Sequence, residues 1–265
     1  MSERLPTVFI SHGGGPWPFM AIEPPGAYDG LAAWLRAMPD AVGAKSKAVL
    51  VVSAHWEEDE PTVMTNPWPS LLYDYYGFPP ETYRLRYDAP GSPALAERVR
   101  TLLRDSRIAC RDDDARGYDH GVFVPMMLAY PKADVPIVQL SIQRDLDPAA
   151  HLEIGRAIAP LRDEGVLIAG SGMTYHNLRA FGEAGREPSA QFDAWLTDAV
   201  TAAAGAGRSA RLERWSTAPA ARAAHPREDH LIPLMVVVGA AENEGARATF
   251  SGTVRAIKLS CYQLG

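Results

Sequence analysis

Short runs of β-branched and apolar residues alternate along this chain with stretches of helical periodicity. Four runs have the length of buried strands, and they lie at residues 7–10, 48–53, 136–142 and 166–169. Near-continuous apolar runs of this kind are typical of strands that are buried on both faces of a sheet. Helical spacing predicts helices at residues 28–38, 94–103, 148–161, 190–204 and 232–241. The alternation predicts an α/β fold: one three-layer domain over residues 1–265, with a mostly parallel central sheet and helices on both faces.

Two long stretches lack this periodicity. Residues 56–90 are rich in proline, and residues 205–229 are rich in alanine, arginine and glycine. Long irregular stretches in a domain are usually functional loops or disordered segments. Six aromatic residues within residues 72–87 favour an ordered loop that walls a pocket over a disordered one.

Composition narrows the classes of partner. The formal net charge of -6 argues against nucleic acid and anionic membrane surfaces, and hydrophobic residues make up an ordinary 47%. No apolar stretch approaches the roughly 18–20 residues of a membrane span. Without a signal-peptide pattern at the start, we expect a cytoplasmic protein, with Cys110 and Cys261 as reduced thiols.

Histidines follow three of the predicted strands. His12 comes directly after the first run, His55 after the second, and His176 shortly after the fourth. In open α/β sheets, ligands bind outside the carboxyl ends of the strands, so these three side chains are expected to meet in one crevice. Imidazole is the commonest neutral metal ligand, and a shared metal ion is therefore the simplest explanation.

Each histidine also has a structural interpretation. A single histidine after a strand is more often a capping residue than a ligand, and it is the repetition at three strand ends that favours a metal site. His120 fits a polar turn as well as a site, and His230 fits a helix entrance. His225 and His230 are five residues apart and would not share a helical face, so we expect one ligand between them. His151 is expected to be solvated on a helix surface.

Glycines accompany two of these strand ends. His12 is followed by three glycines, and Ser171 stands between Gly170 and Gly172. Neither segment matches the nucleophile elbow G-x-S-x-G, the phosphate-binding loop or the dinucleotide fingerprint. We therefore expect these glycines to allow sharp turns and a close approach of the backbone to a metal or ligand.

Five segments containing these residues occur in a recognisable order: FISHGGGP, VVSAHW, YDHGVFVPM, GSGMTYHNL and AHPREDHLIPL. Together they resemble the class III extradiol ring-cleavage dioxygenases, in the branch named for 4,5-DOPA dioxygenase. The resemblance covers residues 8–265. It implies a metal-dependent extradiol dioxygenase that opens the ring of a catechol-type substrate with O2.

The resemblance also implies roles for single residues. His12 and His55 match two metal ligands of the family, and His230 matches the third ligand of this branch. His176 matches an acid/base histidine that is sometimes counted as a ligand, and His120 matches a histidine that positions substrate and oxygen. The implied cofactor is Fe2+, with Zn2+ as an alternative occupant. The implied partners are a small catecholic substrate and O2, without nucleic acid or membrane, and a homodimer is one alternative for the assembly.

Two other functions remain open at this point. A zinc-dependent hydrolase could use the same histidines, with a metal-bound water as nucleophile and His176 as base. A non-catalytic binding protein of the same fold is the other alternative, although it would not need an acid/base histidine beside its metal. A carboxylate on the substrate would require a cation, for which the candidates are Arg84, Arg86, Arg144 and Arg222.

Overall fold

The four runs predicted as strands lie side by side at the centre of one sheet. A computed structural model describes residues 4–43 and 45–265, and it contains an eight-stranded sheet. Its strands are β1 (Thr7–Ser11), β2 (Ala48–Glu58), β3 (Thr62–Met64), β4 (Arg111–Asp113), β5 (Ile137–Gln143), β6 (Val166–Gly172), β7 (Ala246–Val254) and β8 (Ile257–Leu264). They are ordered β4-β3-β5-β2-β6-β1-β8-β7, and the central strands β5, β2, β6 and β1 are parallel.

Eight α-helices occur in the described ranges. They are α1 (Asp29–Ala41), α2 (Pro93–Asp105), α3 (His120–Ala129), α4 (Pro148–Ile158), α5 (Arg186–Thr201), α6 (Ala206–Glu213), α7 (Ala221–Ala224) and α8 (Ile232–Ala240). The five predicted helices are confirmed as α1, α2, α4, α5 and α8, with shifted ends. α4 begins as its sequence indicates, because the Asp147 carboxylate accepts a hydrogen bond from the backbone N–H of Ala149 and Pro148 occupies the first helical position.

Helices cover both faces of the sheet. A Cβ atom built on Gly170 of β6 would collide with Pro233 and Val237 of α8. The next residue, Ser171, donates a hydrogen bond to the Gly121 carbonyl of α3. Because successive side chains of a strand point to opposite faces, α8 and α3 lie on opposite sides of β6. The predicted α/β class with a mostly parallel, helix-covered sheet is confirmed.

The prediction of irregular structure for residues 205–229 is wrong. This stretch contains α6 and α7, and a short 3₁₀ helix lies between them at Trp215–Thr217. α6 carries Arg208, whose buried guanidinium donates to the carbonyl oxygens of Ala203 and Glu244. Backbone acceptors outside the helix therefore satisfy this buried charged side chain.

The prediction of a solvated His151 is also wrong. His151 is fully buried in α4. Its Nδ1 donates to the Asp147 carbonyl at 2.7 Å, and its Nε2 accepts from the backbone N–H of Gln143 at 2.9 Å. The imidazole thus joins the start of α4 to the end of β5.

The sheet is completed by a hairpin near the end of the chain. β8 pairs antiparallel with β1, where Leu264 lies opposite Thr7, and β7 pairs antiparallel with β8. The beginning and the end of the described chain therefore meet in neighbouring strands. Among residues 4–43 and 45–265, no helix has the length and apolar character that crossing a membrane requires.

Candidate metal centre

His12 and His55 occupy the carboxyl-end edge of the sheet in different ways. His12 directly follows β1, and its backbone N–H donates to the Gly172 carbonyl at 3.0 Å. His55 lies inside β2, which continues past it to Glu58. The pairing of β2 with β5 shifts register between Ser53 and Glu57, and such a bulge re-aims a side chain locally.

Three imidazoles converge at this edge. Nε2 of His55 lies 3.2 Å from Nε2 of His12 and 3.2 Å from Nε2 of His230. The ring centroids of His12 and His230 are 5.3 Å apart. His230 stands two residues before α8, and its carbonyl oxygen accepts from the backbone N–H of Met173 at 2.9 Å, just past the end of β6.

Hydrogen bonds set the tautomers of His12 and His230, and the contact with a carboxylate favours the same tautomer for His55. The hydroxyl proton of Ser171 is donated to the Gly121 carbonyl, so its oxygen accepts from Nδ1–H of His12 at 3.0 Å. Nδ1–H of His230 donates to the Asp229 carboxylate at 2.7 Å. Nδ1 of His55 faces the carboxylate of Asp74 at 3.3 Å.

Since each Nδ1 carries the proton of a neutral ring, each Nε2 presents a lone pair. Burial lowers the pKa of His55 to about 3, His120 acts in the same direction, and Asp74 opposes the shift. Burial also holds the pKa values of His12 and His230 well below the ordinary histidine value, with the adjacent imidazoles adding to the effect.

This donor set fits a metal ion. Three neutral imidazoles point unprotonated Nε2 atoms at one small region, where the lone pairs repel one another unless a cation lies between them. Nitrogen ligands of this type suit Zn2+ and Fe2+, and three protein ligands leave positions for other molecules.

His120 borders the same region from α3. It is the first residue of α3, and one of its ring nitrogens lies within 4.8 Å of ligand atoms of His12 and His55. Its ring centroid is 4.0 Å from that of His55. Nδ1–H donates to Asp74 at 2.8 Å, which leaves Nε2 of His120 free to accept a proton. Of the two alternatives left open by the sequence, a polar turn and a site, the structure places His120 beside the other histidines and in the first turn of a helix.

His176 borders the cluster next to His230. Its ring stacks on His230, with centroids 3.3 Å apart and an interplanar angle of 16°. The backbone N–H of His176 donates to the Ala224 carbonyl, and its Nδ1 lies 3.9 Å from Asp229. Burial lowers the pKa of His176, whereas Asp229 raises it.

His225 stands outside this cluster. Its ring is fully buried, and Nε2–H donates to the Thr174 carbonyl at 3.1 Å. Of the two histidines five residues apart, only His230 has its ring among the converging imidazoles.

The tyrosine-rich segment, residues 73–87 (the aromatic loop), lies against the histidines. Tyr75 is buried, and its ring meets the edge of His120 with centroids 5.8 Å apart. Phe78 packs against Gly15, where a Cβ would come within 2.6 Å of its ring. Tyr76 is 92% exposed. Of these two tyrosines, Tyr75 therefore belongs to the predicted pocket wall, whereas Tyr76 does not.

A cavity of about 510 Å³ opens beside His176. Its lining consists of His176, Asn177, Leu178, Arg179 and Pro226. No carboxylate of the described chain forms an ion pair with Arg179.

Two of the four arginines predicted as substrate cations already have carboxylate partners. Arg144 pairs with Asp59 at 2.8 Å, and Arg222 pairs with Glu228 at 2.5 Å. Arg84, Arg86 and Arg179 are all exposed, but only Arg179 belongs to the lining of the cavity beside His176. The cation that lines the cavity, Arg179, was not among the four.

The chain as a whole matches a known family. Residues 7–265 match the family described as the catalytic LigB subunit of aromatic ring-opening dioxygenase. The chain belongs to this family.

Individual relatives agree with this membership. The chain is 43% identical over 249 residues to a 4,5-DOPA dioxygenase extradiol of Beta vulgaris, a match that covers 91% of this chain and 88% of that protein. It is 34% identical over 248 residues to the 4,5-DOPA dioxygenase extradiol of Escherichia coli (strain K12), covering 90% and 86%. The crystal structure of an uncharacterized protein from Escherichia coli K12 superposes with a TM-score of 0.79 at 30% identity, covering 99% of this chain and 100% of that chain.

These similarities confirm the resemblance seen in the five segments and, with it, an extradiol ring-cleaving dioxygenase. They do not favour the hydrolase or the binding protein. Dioxygenases of this family depend on a metal, and the histidine cluster of this chain could hold one.

Three residues contact the histidines of this dioxygenase in ways that were not predicted from the sequence. They are Asp74, Asp229 and Ser171. Metal-bound histidines usually donate their second N–H to a carboxylate, carbonyl or hydroxyl group, which was a usable signal. Asp229 directly precedes His230, and Asp74 is the lone acid of the apolar segment LLYDYYGF. Ser171, the partner of His12, lies 159 residues further along the chain, so no local pattern indicates this contact.

Gly172 decides where His230 can lie. A Cβ on Gly172 would overlap the His230 carbonyl oxygen. We expect Gly172→Ala to lower the free energy of unfolding by about 1–3 kcal/mol, as overpacking does, and to weaken metal binding because His230 is displaced. Thermal unfolding and calorimetric titration with Zn2+ measure the two effects.

The matched control is Gly207→Ala in α6. Gly207 is exposed, and an added Cβ would meet nothing within 4 Å. This substitution is expected to leave metal binding unchanged and to stabilise the helix by up to about 1 kcal/mol. Equal metal affinities for the two variants would contradict the role given to Gly172.

Proposed function

We propose that this protein is an iron(II)-dependent extradiol dioxygenase that opens a catechol-type ring with O2, and that His12, His55 and His230 hold the metal. The observation that carries the proposal is the convergence of three Nε2 lone pairs, with 3.2 Å from His55 to each of the others. His120, although it borders the same region, is assigned a different role because it matches the family's residue that positions substrate and oxygen, and its Nε2 is proposed for proton transfer.

A bound iron(II) ion supplies coordination of the catechol oxygens and of O2, and exchanges electrons with them. Zn2+ fits the same three nitrogens but has no redox chemistry, so iron(II) is the metal proposed for activity. Family membership and the neutral imidazole set support this choice.

His176 is proposed as the base that accepts a proton from a catechol hydroxyl. Its lowered pKa keeps the ring neutral near pH 7, the form that accepts a proton. Stacking on His230 fixes the plane of the ring beside the metal ligands.

His120 is proposed to orient substrate and oxygen through Nε2. The Asp74 carboxylate retains the proton on Nδ1, so Nε2 accepts a proton and can then return it to the opening ring. The buried ring of Tyr75 excludes water from this side of the site.

Anaerobic reconstitution with Fe2+, followed by oxygen uptake against a panel of catechols, tests the proposed function. We expect uptake of one O2 per ring opened and a product that absorbs in the visible, while protein loaded with Zn2+ alone stays inactive. Bound iron without oxygen uptake for any catechol would overturn the proposal.

Arg179 is the proposed cation for a substrate carboxylate. We expect Arg179→Gln to raise KM about 10-fold for a carboxylate-bearing catechol and less than about 2-fold for unsubstituted catechol, since a hydrogen bond to a charged group contributes roughly 1.5–3 kcal/mol. Arg84→Gln removes the same charge from an exposed position of the aromatic loop and serves as control. Equal KM changes for the two catechols would exclude a role for Arg179 in selecting the acidic one.

We also propose that residues 1–265 act as one catalytic domain. The pairing of β1 with β8 supports this proposal, because both ends of the described chain belong to the sheet that carries the histidines.

A further inference from the structure

Asp74 contacts two of the histidines at once. Its Oδ2 lies 3.3 Å from Nδ1 of His55. Its Oδ1 accepts from Nδ1–H of His120 at 2.8 Å and from the backbone N–H of His120 at 2.9 Å. One carboxylate on the aromatic loop therefore joins the proposed metal ligand on β2 to the proposed proton-transfer residue at the start of α3.

An ionised carboxylate only accepts hydrogen bonds. Asp74 accepts from Nδ1–H of His120, and its negative charge 3.3 Å from Nδ1 of His55 favours a proton on that nitrogen as well. In a neutral imidazole, a proton on Nδ1 leaves Nε2 unprotonated.

The backbone around Asp74 is tied to the same elements. The backbone N–H of Leu72 donates to the Tyr118 carbonyl at 2.7 Å, two residues before α3. Tyr75 packs its ring against the edge of His120. The hydroxyl of Tyr75 donates to the Thr82 carbonyl at 2.7 Å, which closes the loop on itself. These contacts place the carboxylate between the two rings without relying on a metal ion.

We propose that Asp74 is a positioning residue that holds His55 and His120 in matching Nδ1–H tautomers and makes the aromatic loop part of the catalytic centre. The inference rests on the proposed function, in which His55 binds the metal and His120 moves a proton. In this arrangement, the Asp74 carboxylate keeps Nε2 of His55 available for the metal and Nε2 of His120 available for proton transfer.

The Asp74→Asn substitution separates this role from simple packing. Asparagine has nearly the same shape, but one of its two terminal groups is a donor. The amide oxygen is expected to stay with His120, which offers two N–H groups, so the NH2 group faces Nδ1 of His55. His55 must then move its proton to Nε2, where it blocks metal coordination, or lose its partner.

The test uses metal-free protein, so that it does not depend on turnover. In the wild type, long-range ¹H–¹⁵N correlation spectra of the histidines are expected to show Nδ1–H for both His55 and His120. In Asp74→Asn, we expect His55 to change to Nε2–H and the Zn2+ affinity from calorimetry to fall about 10–100-fold, the usual effect of losing a partner of a ligand.

Asp88→Asn is the matched control, since it removes the same charge from an exposed residue just beyond the aromatic loop. It is expected to leave the tautomers unchanged and the Zn2+ affinity within about 2-fold. An Nε2–H tautomer at either histidine in the wild type would overturn the inference even if the Asn variant failed to fold.

Unchanged tautomers and unchanged affinity in a folded Asp74→Asn protein would also overturn it. Failure of the proposed function is distinguishable: in that case the wild type itself would bind neither Zn2+ nor Fe2+ at these histidines, or would bind iron without ring opening.

Discussion

Replacement of His55 by alanine is expected to lower the Zn2+ affinity of the metal-free protein by more than about 100-fold and to abolish ring opening after loading with iron(II). Loss of a partner of a ligand typically lowers metal affinity about 10–100-fold, and loss of the ligand itself exceeds that range. His55 is the most sensitive of the three positions because its Nε2 is the atom that lies 3.2 Å from both of the others.

The measurement is calorimetric titration with Zn2+, followed by oxygen uptake after loading with Fe2+. His151→Asn is the control, since it removes another buried and neutral imidazole, but one whose partners are Asp147 and Gln143. That variant is expected to lower the thermal unfolding temperature while it keeps the wild-type metal affinity. Similar metal affinities for the two variants would refute the assignment of His55 as a ligand.

The second large effect is expected for His176→Ala. We expect kcat to fall about 10²- to 10⁴-fold, the range attributed to general acid–base catalysis, while the metal affinity stays within about 3-fold of the wild type. The reason is geometric: His176 stacks face to face on His230, so its ring lies beside the ligand set.

Single-turnover rates and Zn2+ titration distinguish a base from a fourth ligand. Leu178→Ala is the control, because Leu178 lines the same cavity, is 71% exposed and carries no proton-transfer group. It is expected to change kcat by less than about 3-fold. A loss of metal affinity in His176→Ala as large as that in His55→Ala would make His176 a ligand and contradict its assignment as a base.

The central strands and most helices were predictable because their local patterns agree with their tertiary environment. Strands buried on both faces are apolar throughout, and the four runs became β1, β2, β5 and β6. β7 escaped prediction because it is an edge strand whose residues are largely exposed or half-buried. α3 escaped it because HGVFVPMMLA is buried on nearly every side and therefore has no amphipathic period.

The boundary of β2 shows a different limit. The apolar run ends near Ser53, whereas the strand continues to Glu58 through an irregularity in its pairing with β5. A bulge depends on what the neighbouring strand does, and that information lies more than 80 residues away in the sequence. The orientation of His55 therefore could not be inferred from its own segment.

The sequence by itself determined the class of fold, the strand end that carries His12, the place of His55 after an apolar run, and a family resemblance that covers nearly the whole chain. These depend on local composition and on the order of motifs, which a single chain displays directly. Only the tertiary structure decided which nitrogen carries the proton in His12 and His55, because Ser171 and Asp74 reach these rings through the fold. A hydrogen bond of about 3 Å between residues 159 positions apart leaves no periodic trace in a sequence.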